Sequence, residues 1–162
     1  MMMNDEIACR TLYGKEKLVP RERLILRPSV YAIILHEDKI LLVRMRHTGH
    51  FTLPGGGIEI GERIEDGLRR EVREETGIEI RVERFAAFTE DFFYYDPLDE
   101  AFHGLLFFYI CHPLSFDLAG DGQVEDGEVE RPGWIDVEEL QGRHFHSHGD
   151  LIMAILDSYG LV

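Results

Sequence analysis

Three glutamates, Glu71, Glu74 and Glu75, stand at i, i+3 and i+4, a spacing that gathers their carboxylates at one end of one helix face. The segment from Ile64 to Thr76 reads as that helix, with Gly77 placed to stop it in a left-handed turn. At about 100° per residue, Ile64, Leu68 and Val72 form an apolar stripe roughly 80° wide. Glu71 and Glu75 fall within about 20° of Ile64, on the face that should enter the core, and Glu74 lies at its edge beside Gly67. Two carboxylates about 6 Å apart repel by roughly 3 kcal/mol at an effective dielectric near 20, before any desolvation cost. The cluster therefore calls for a cation. Oxygen ligands without His or Cys favour a hard ion, Mg²⁺ or Mn²⁺, over zinc. The plainer reading is a solvated acidic helix end, neutralised by Arg70 and Arg73.

Just upstream, Pro54 leads into Gly55, Gly56 and Gly57, a run whose backbone lets a phosphate or an ion approach closely. From Gly56 to Ile78 the chain reads GGIEIGERIEDGLRREVREETGI, which fits G-x5-E-x7-R-E-U-x-E-E-x-G-U at every fixed position, U being bulky and apolar. Residue frequencies put a chance match on the order of 10⁻⁵ per chain. The segment resembles the signature of the Nudix hydrolases, metal-dependent pyrophosphohydrolases of nucleoside diphosphates linked to another group.

That resemblance implies a set of roles. Glu71, Glu74 and Glu75 would hold one to three Mg²⁺ (or Mn²⁺) ions, with the carbonyl of Gly55 as a further metal ligand. Arg70 would pair with a helix carboxylate and fix its aim, and Glu62 would stand behind the ligands or bind the metal weakly. Members of the family often carry a loop carboxylate shortly before a Trp that completes the metal site or acts as base. Here Glu128 lies six residues before Trp134, with Glu130 as runner-up. Glu71 is the helix-borne candidate for the base, and the loop Glu is its rival. Where the family often has a Trp before the Pro, this chain has Phe51. Compact length favours a nucleoside triphosphate, oxidised or non-standard forms included, as in the MutT-like branch. Dinucleoside polyphosphates and nucleotide sugars stay open, as does a non-catalytic nucleotide sensor, although the intact R-E-x-x-E-E argues against the last.

The remaining residues set bounds. A length of 162 residues suits one domain over 1–162, burying roughly 70% of its unfolded surface. A net charge of −14 argues against an extended nucleic-acid partner, which needs clustered Lys and Arg. It suits a small anionic nucleotide only where metal ions carry the electrostatic load; a homodimer is left open. No apolar run approaches the length of a membrane span, and MMMNDEIACR lacks the basic-then-apolar pattern of a secretory signal. Cys9 and Cys111 are far apart without metal-type spacing, so the expectation is a cytoplasmic protein with reduced, packing cysteines.

Arg44 and Arg46 share a strand face; they would either reach substrate phosphates across the glycine loop or line a solvent-facing edge. His144, His146 and His148 alternate before the last helix, a pattern read as a surface loop rather than a metal cluster. Pro113 to Gly133 is one long irregular, acidic connection that includes Asp117, Asp121, Glu125, Asp126, Glu128 and Glu130.

To position these residues, the pattern supplies strands at Ser29 to His36 and Lys39 to Arg46, joined as a hairpin, and a short strand at Phe51 to Leu53. Further strands are expected over Ile78 to Glu90 and Phe102 to His112, with a helical turn at Asp136 to Leu140. Ser147 and Asp150 read as the capping box of a last helix buried through Leu151, Ile152, Ile155 and Leu156. Residues 1–27 would add edge strands at Thr11 to Tyr13 and Arg23 to Leu26. The fold class is α+β: a mixed β-sheet between helices, the α/β/α sandwich of the resembled family.

Overall fold

The computed structural model describes residues 5–120, 122–124 and 126–162. Nine strands and two helices follow one another as β1 (Glu6–Thr11), β2 (Glu16–Pro20), β3 (Leu24–His36), β4 (Lys39–Met45), β5 (Phe51–Thr52), β6 (Gly55–Gly57), α1 (Ile64–Thr76), β7 (Ile80–Tyr95), β8 (Glu100–Pro113), β9 (Val129–Asp136) and α2 (Gly149–Ser158). The main path of the sheet is β2-β1-β7-β8-β3-β4-β5, with β6 paired to β3 and β9 to β4. Parallel pairing of β3 with β8 and of β1 with β7 makes the sheet mixed, as expected.

Alternation along β3 assigns a helix to each face. Val30, Ala32 and Ile34 join Leu68 and Val72 of α1 in one buried cluster. Ile33 points the other way, into a cluster with Ile152, Ile155 and Leu156 of α2. Leu68 and Val72 are fully buried, each worth about 1.5–3 kcal/mol of transfer free energy, so α1 is held by its apolar stripe. Gly77 ends it in the left-handed region, φ 81°, with its N–H donating to Arg73 O.

Several boundaries differ from the sequence reading, each for a physical reason. The stretch from Arg23 to Leu26 is no edge strand: from Leu24 it belongs to central β3, which continues through Pro28. Proline is tolerated because β8 pairs one side there, while β6 joins the other side only from Ser29. Of Thr11 to Tyr13, Thr11 ends β1 and Leu12 and Tyr13 form the turn after it. The irregular acidic connection is shorter than expected, because β8 runs through Pro113 and β9 starts at Val129. Asp121 and Glu125 of that connection lie outside the described residues.

The capping box at Ser147 is also replaced. His148 is the N-cap of α2, at φ 56°, with no side-chain cap hydrogen bond. A side chain at Gly149 would come within 2.0 Å of Gly142 O, so the helix start packs backbone against backbone. That approach forces the left-handed entry and carries the His148 side chain inward.

Candidate active site

Glu71 and Glu75 are buried on α1, at 8% and 2% exposure, whereas Glu74 is half-buried at the edge of the face. Both buried carboxylates face the glycine loop. Gly55 N–H donates to Glu75 Oε2 at 2.9 Å. A Cβ on Gly56 would lie 2.9 Å from the Glu71 carboxylate carbon, so the bare backbone at Gly56 is what admits that carboxylate.

Arg70 organises the surrounding acids. Its Nε and NH2 donate to the two oxygens of Glu62 at 2.7 and 3.0 Å, a bidentate pair. Its NH1 donates to Glu71 at 2.9 Å and Glu74 at 3.3 Å, and its NH2 also reaches Gly57 O at 3.1 Å. These bonds hold the Glu62 carboxyl down at about 2, through the Arg70 hydrogen bonds first and the Glu59 N–H second. They also raise the pKa of Arg70 itself, so the guanidinium is charged at any working pH.

Oxygen atoms of Glu71, Glu75 and Asp126 come within 4.8 Å of one another. Asp126 precedes β9, and in the sequence it is only one member of an acidic run. Its selection needed the β4–β9 pairing, which no residue spacing reports. Burial raises the pKa of Glu71 against the pull of Arg70, and raises that of Glu75 well above the ordinary carboxylate range. Two desolvated carboxylates and an aspartate, all oxygen donors, fit a hard divalent cation.

The trio opens into a cavity of about 470 Å³. Glu128 lines it beside Asp126, and burial raises its pKa despite the attraction of Arg27. Glu128 N–H donates to Asp126 Oδ1 at 2.5 Å, and Glu128 O accepts from Arg46 N–H at 2.9 Å, so the residue that follows β4 fixes the loop end. Glu130 does not line the cavity; it pairs with Arg46 at 3.1 Å.

The two arginines expected on substrate phosphates stand elsewhere. Arg46 clamps the acidic loop through Glu130 and through Asp126 O, at 3.3 Å. Arg44 donates to Gly49 O at 2.8 Å and lies over the Phe51 ring. Neither lines the cavity, and the strand face expected to carry both holds only Arg44, because β4 ends at Met45 and Arg46 lies in the turn that follows. The cations in the cavity wall are Arg27 and Arg10. Arg27 lies over Phe102, and Arg10 donates to His146 O at 3.3 Å. Among the described residues neither has a carboxylate within ion-pair distance. Both escaped the sequence reading because they lie far from the motif in sequence, on β1 and β3.

The histidine run is likewise not a surface loop. His146 and His148 line the cavity, and only His144 stays on the outside, where its Nδ1 accepts from Gln141 N–H at 3.1 Å.

A family profile described as the NUDIX domain matches residues 25–155, which include both helix carboxylates, the glycine loop and β9. The chain belongs to the Nudix family. Nudix hydrolase 2 of Arabidopsis thaliana is 29% identical over 140 residues, 81% of this chain but only 46% of that protein. The chain thus spans less than half the length of this curated relative. Nucleoside triphosphatase NudI of Salmonella agona is 31% identical over 130 residues, 74% of this chain and 86% of its own length. Among solved structures, a NUDIX hydrolase from Nitrosomonas europaea superposes with a TM-score of 0.64 at 25% identity, over 84% of this chain and 89% of the other. The Nudix fold, a mixed sheet with a helix on each face, is therefore common to both. No helix among the described residues is long and apolar enough to cross a membrane.

Proposed function

We propose that this Nudix chain is a divalent-metal-dependent pyrophosphohydrolase that cleaves a nucleoside triphosphate to a nucleoside monophosphate and pyrophosphate. One observation carries the reading: the carboxylate trio Glu71, Glu75 and Asp126 shares the wall of one cavity with the guanidiniums of Arg27 and Arg10, which have no ion pair among the described residues. Anion-repelling and anion-binding groups side by side suit a polyphosphate whose charge is met partly by metal and partly by arginine. The name of the Salmonella relative agrees with a triphosphate.

Glu71, Glu75 and Asp126 would hold Mg²⁺ or Mn²⁺, with the Gly55 carbonyl and Glu74 as the remaining candidate ligands. A divalent ion held there would supply an acidified water and positive charge against the polyphosphate. Arg70 keeps Glu71 aimed and pulls against the rise that burial imposes on its pKa, while Glu62 holds Arg70 in place. Arg27 draws on both Glu128 and Asp91, which suits a phosphate contact between the acidic end and the rest of the cavity. Glu128 is the better-placed base: burial favours its taking a proton, and no donor bonds its side chain among the described residues. Glu71 is already engaged by Arg70.

The test is a Mg²⁺-dependent screen of nucleoside triphosphates, ADP-ribose, dinucleoside polyphosphates and nucleotide sugars, with products resolved by ion-exchange chromatography. Monophosphate and pyrophosphate from triphosphates are expected, abolished by chelator. Tight nucleotide binding without any phosphate product would turn the reading into a sensor. Turnover confined to ADP-ribose or a nucleotide sugar would replace the substrate.

A further inference from the structure

The cavity that holds the carboxylate trio holds a second group of polar side chains that the phosphate chemistry does not use. Asp91 on β7 stands opposite Gly104 on β8. A Cβ at Gly104 would lie 2.5 Å from Asp91 Oδ1, so the missing side chain makes the space this carboxylate occupies. Its other oxygen, Oδ2, is 2.9 Å from His148 Nε2, with both side chains about four-fifths buried at 22% and 19% exposure. His146 Nε2 is buried without a hydrogen-bond partner among the described residues, and all these residues line the cavity. Phe93, Phe102 and Phe108 supply flat apolar wall around them.

Burial lowers the pKa of His148 and holds that of His146 at about 4, so both rings are neutral near pH 7. A neutral His148 donates its Nε2–H to Asp91, which fixes the carboxylate and leaves Oδ1 without a donor among the described residues. A buried, half-satisfied carboxylate and an orphan imidazole nitrogen are costly unless a ligand completes them. The aromatic wall suits a planar ring with a hydrogen-bonding edge.

We propose that Asp91 and His146 read the edge of the nucleobase and select a ring with two adjacent N–H donors beside a carbonyl, with His148 as the residue that positions Asp91. Guanine is the standard base that offers this pattern: its ring N–H and exocyclic amino group meet the Asp91 carboxylate, and His146 Nε2–H donates to the base carbonyl. Adenine and cytosine present one donor group next to an acceptor, and uracil a single N–H between two carbonyls. A site built to bond a donor rejects analogues lacking it more strongly than an apolar pocket rejects a size change.

The proposal rests on the nucleotide reading of the cavity, and binding separates the two. In chelator, calorimetry should show GMP binding at least tenfold tighter than IMP, which lacks only the amino group, and tighter than AMP or UMP. Asp91→Asn still accepts from His148 but replaces one acceptor oxygen with a donor; it should erase the GMP preference while leaving AMP within about threefold. In turnover, kcat/KM for GTP over ITP should fall by the same factor in that variant. Equal affinity of wild type for GMP and IMP, or a uniform loss for every base in Asp91→Asn, overturns the base reader even if triphosphates are hydrolysed. A GMP preference without any hydrolysis would instead leave the base reader standing and overturn the enzymatic reading.

Discussion

The Gly55 N–H donates to the Glu75 carboxylate at 2.9 Å, across 20 positions of sequence, and so joins the glycine loop to the helix that carries the acids. This bond partly offsets the burial of Glu75, and coulombic repulsion from Asp126, Glu71 and Glu128 works against it. One hydrogen bond does not balance a buried charge beside three others. A cation is the group that does.

Mg²⁺ or Mn²⁺ should therefore raise the melting temperature, by roughly 5–10 °C at a hundredfold excess over Kd. Glu75→Gln should blunt the shift. Superimposable melting curves in Mg²⁺, Mn²⁺ and chelator would count against the cluster as a metal site.

The pH dependence without metal has a definite sign. The folded pKa of Glu75 lies above its unfolded value of 4.5, so its contribution is full below that value and is lost as pH rises through the folded pKa. Metal-free wild type should gain stability relative to Glu75→Gln on acidification from neutral pH towards 4.5. His146, with its folded pKa lowered to about 4, acts oppositely: it costs stability as pH falls from 6.5 towards 4. Comparing variants at each pH cancels that term. Parallel melting profiles for wild type and Glu75→Gln would show that Glu75 does not titrate differently on folding.

Two neighbouring glycines should fail in different ways. A side chain at Gly55 would meet Val30 O at 2.1 Å, at φ 148°, so Gly55→Ala should cost about 3 kcal/mol or more of stability. At Gly56 the obstacle is the flexible end of Glu71. Gly56→Ala should spare most of the stability but displace that carboxylate and lower kcat by about tenfold or more. Equal loss of stability in both, by denaturant titration, would remove the distinction.

The loop acids should divide sharply. Glu128→Gln and Asp126→Asn should each lower turnover by about 10²-fold or more at saturating Mg²⁺, the first as base and the second as metal ligand. Raising Mg²⁺ should rescue part of the Asp126→Asn defect and none of the Glu128→Gln defect. Glu71→Gln should also lose about 10²-fold. Glu130→Gln should stay within about threefold, since its exposed pair with Arg46 is worth little. A steep loss confined to Glu130→Gln would reassign the loop carboxylate.

Arg27→Gln should raise KM for a triphosphate and lower kcat/KM by about 10–10²-fold, while Arg44→Gln stays within about threefold. The contrast follows from position: Arg27 lines the cavity and Arg44 is tied to Gly49 and Phe51 outside it. Steady-state kinetics in which Arg44→Gln carries the larger loss would restore the strand pair to the phosphates.

The helix, its Gly77 stop and the inward turn of Glu71 and Glu75 are all legible in the sequence, because 3.6-residue periodicity is local and needs no partner to be read. So are the mixed sheet, read from strands interrupted by one central and one terminal helix, and the family, carried by fixed spacing within one segment. Pro28 hid the first part of β3, because a strand can keep a proline only where one side is unpaired, and pairing is a property of neighbours. Tertiary structure alone decided the rest of the cavity. Asp126 joins the helix acids because β9 pairs with β4, and Arg10, Arg27, Asp91 and His148 meet because β1, β3, β7 and the start of α2 converge there. Local spacing fixes which residues share a face of one element. Which faces then enclose a common space depends on contacts between residues distant in the chain, and their register is set only when the sheet closes.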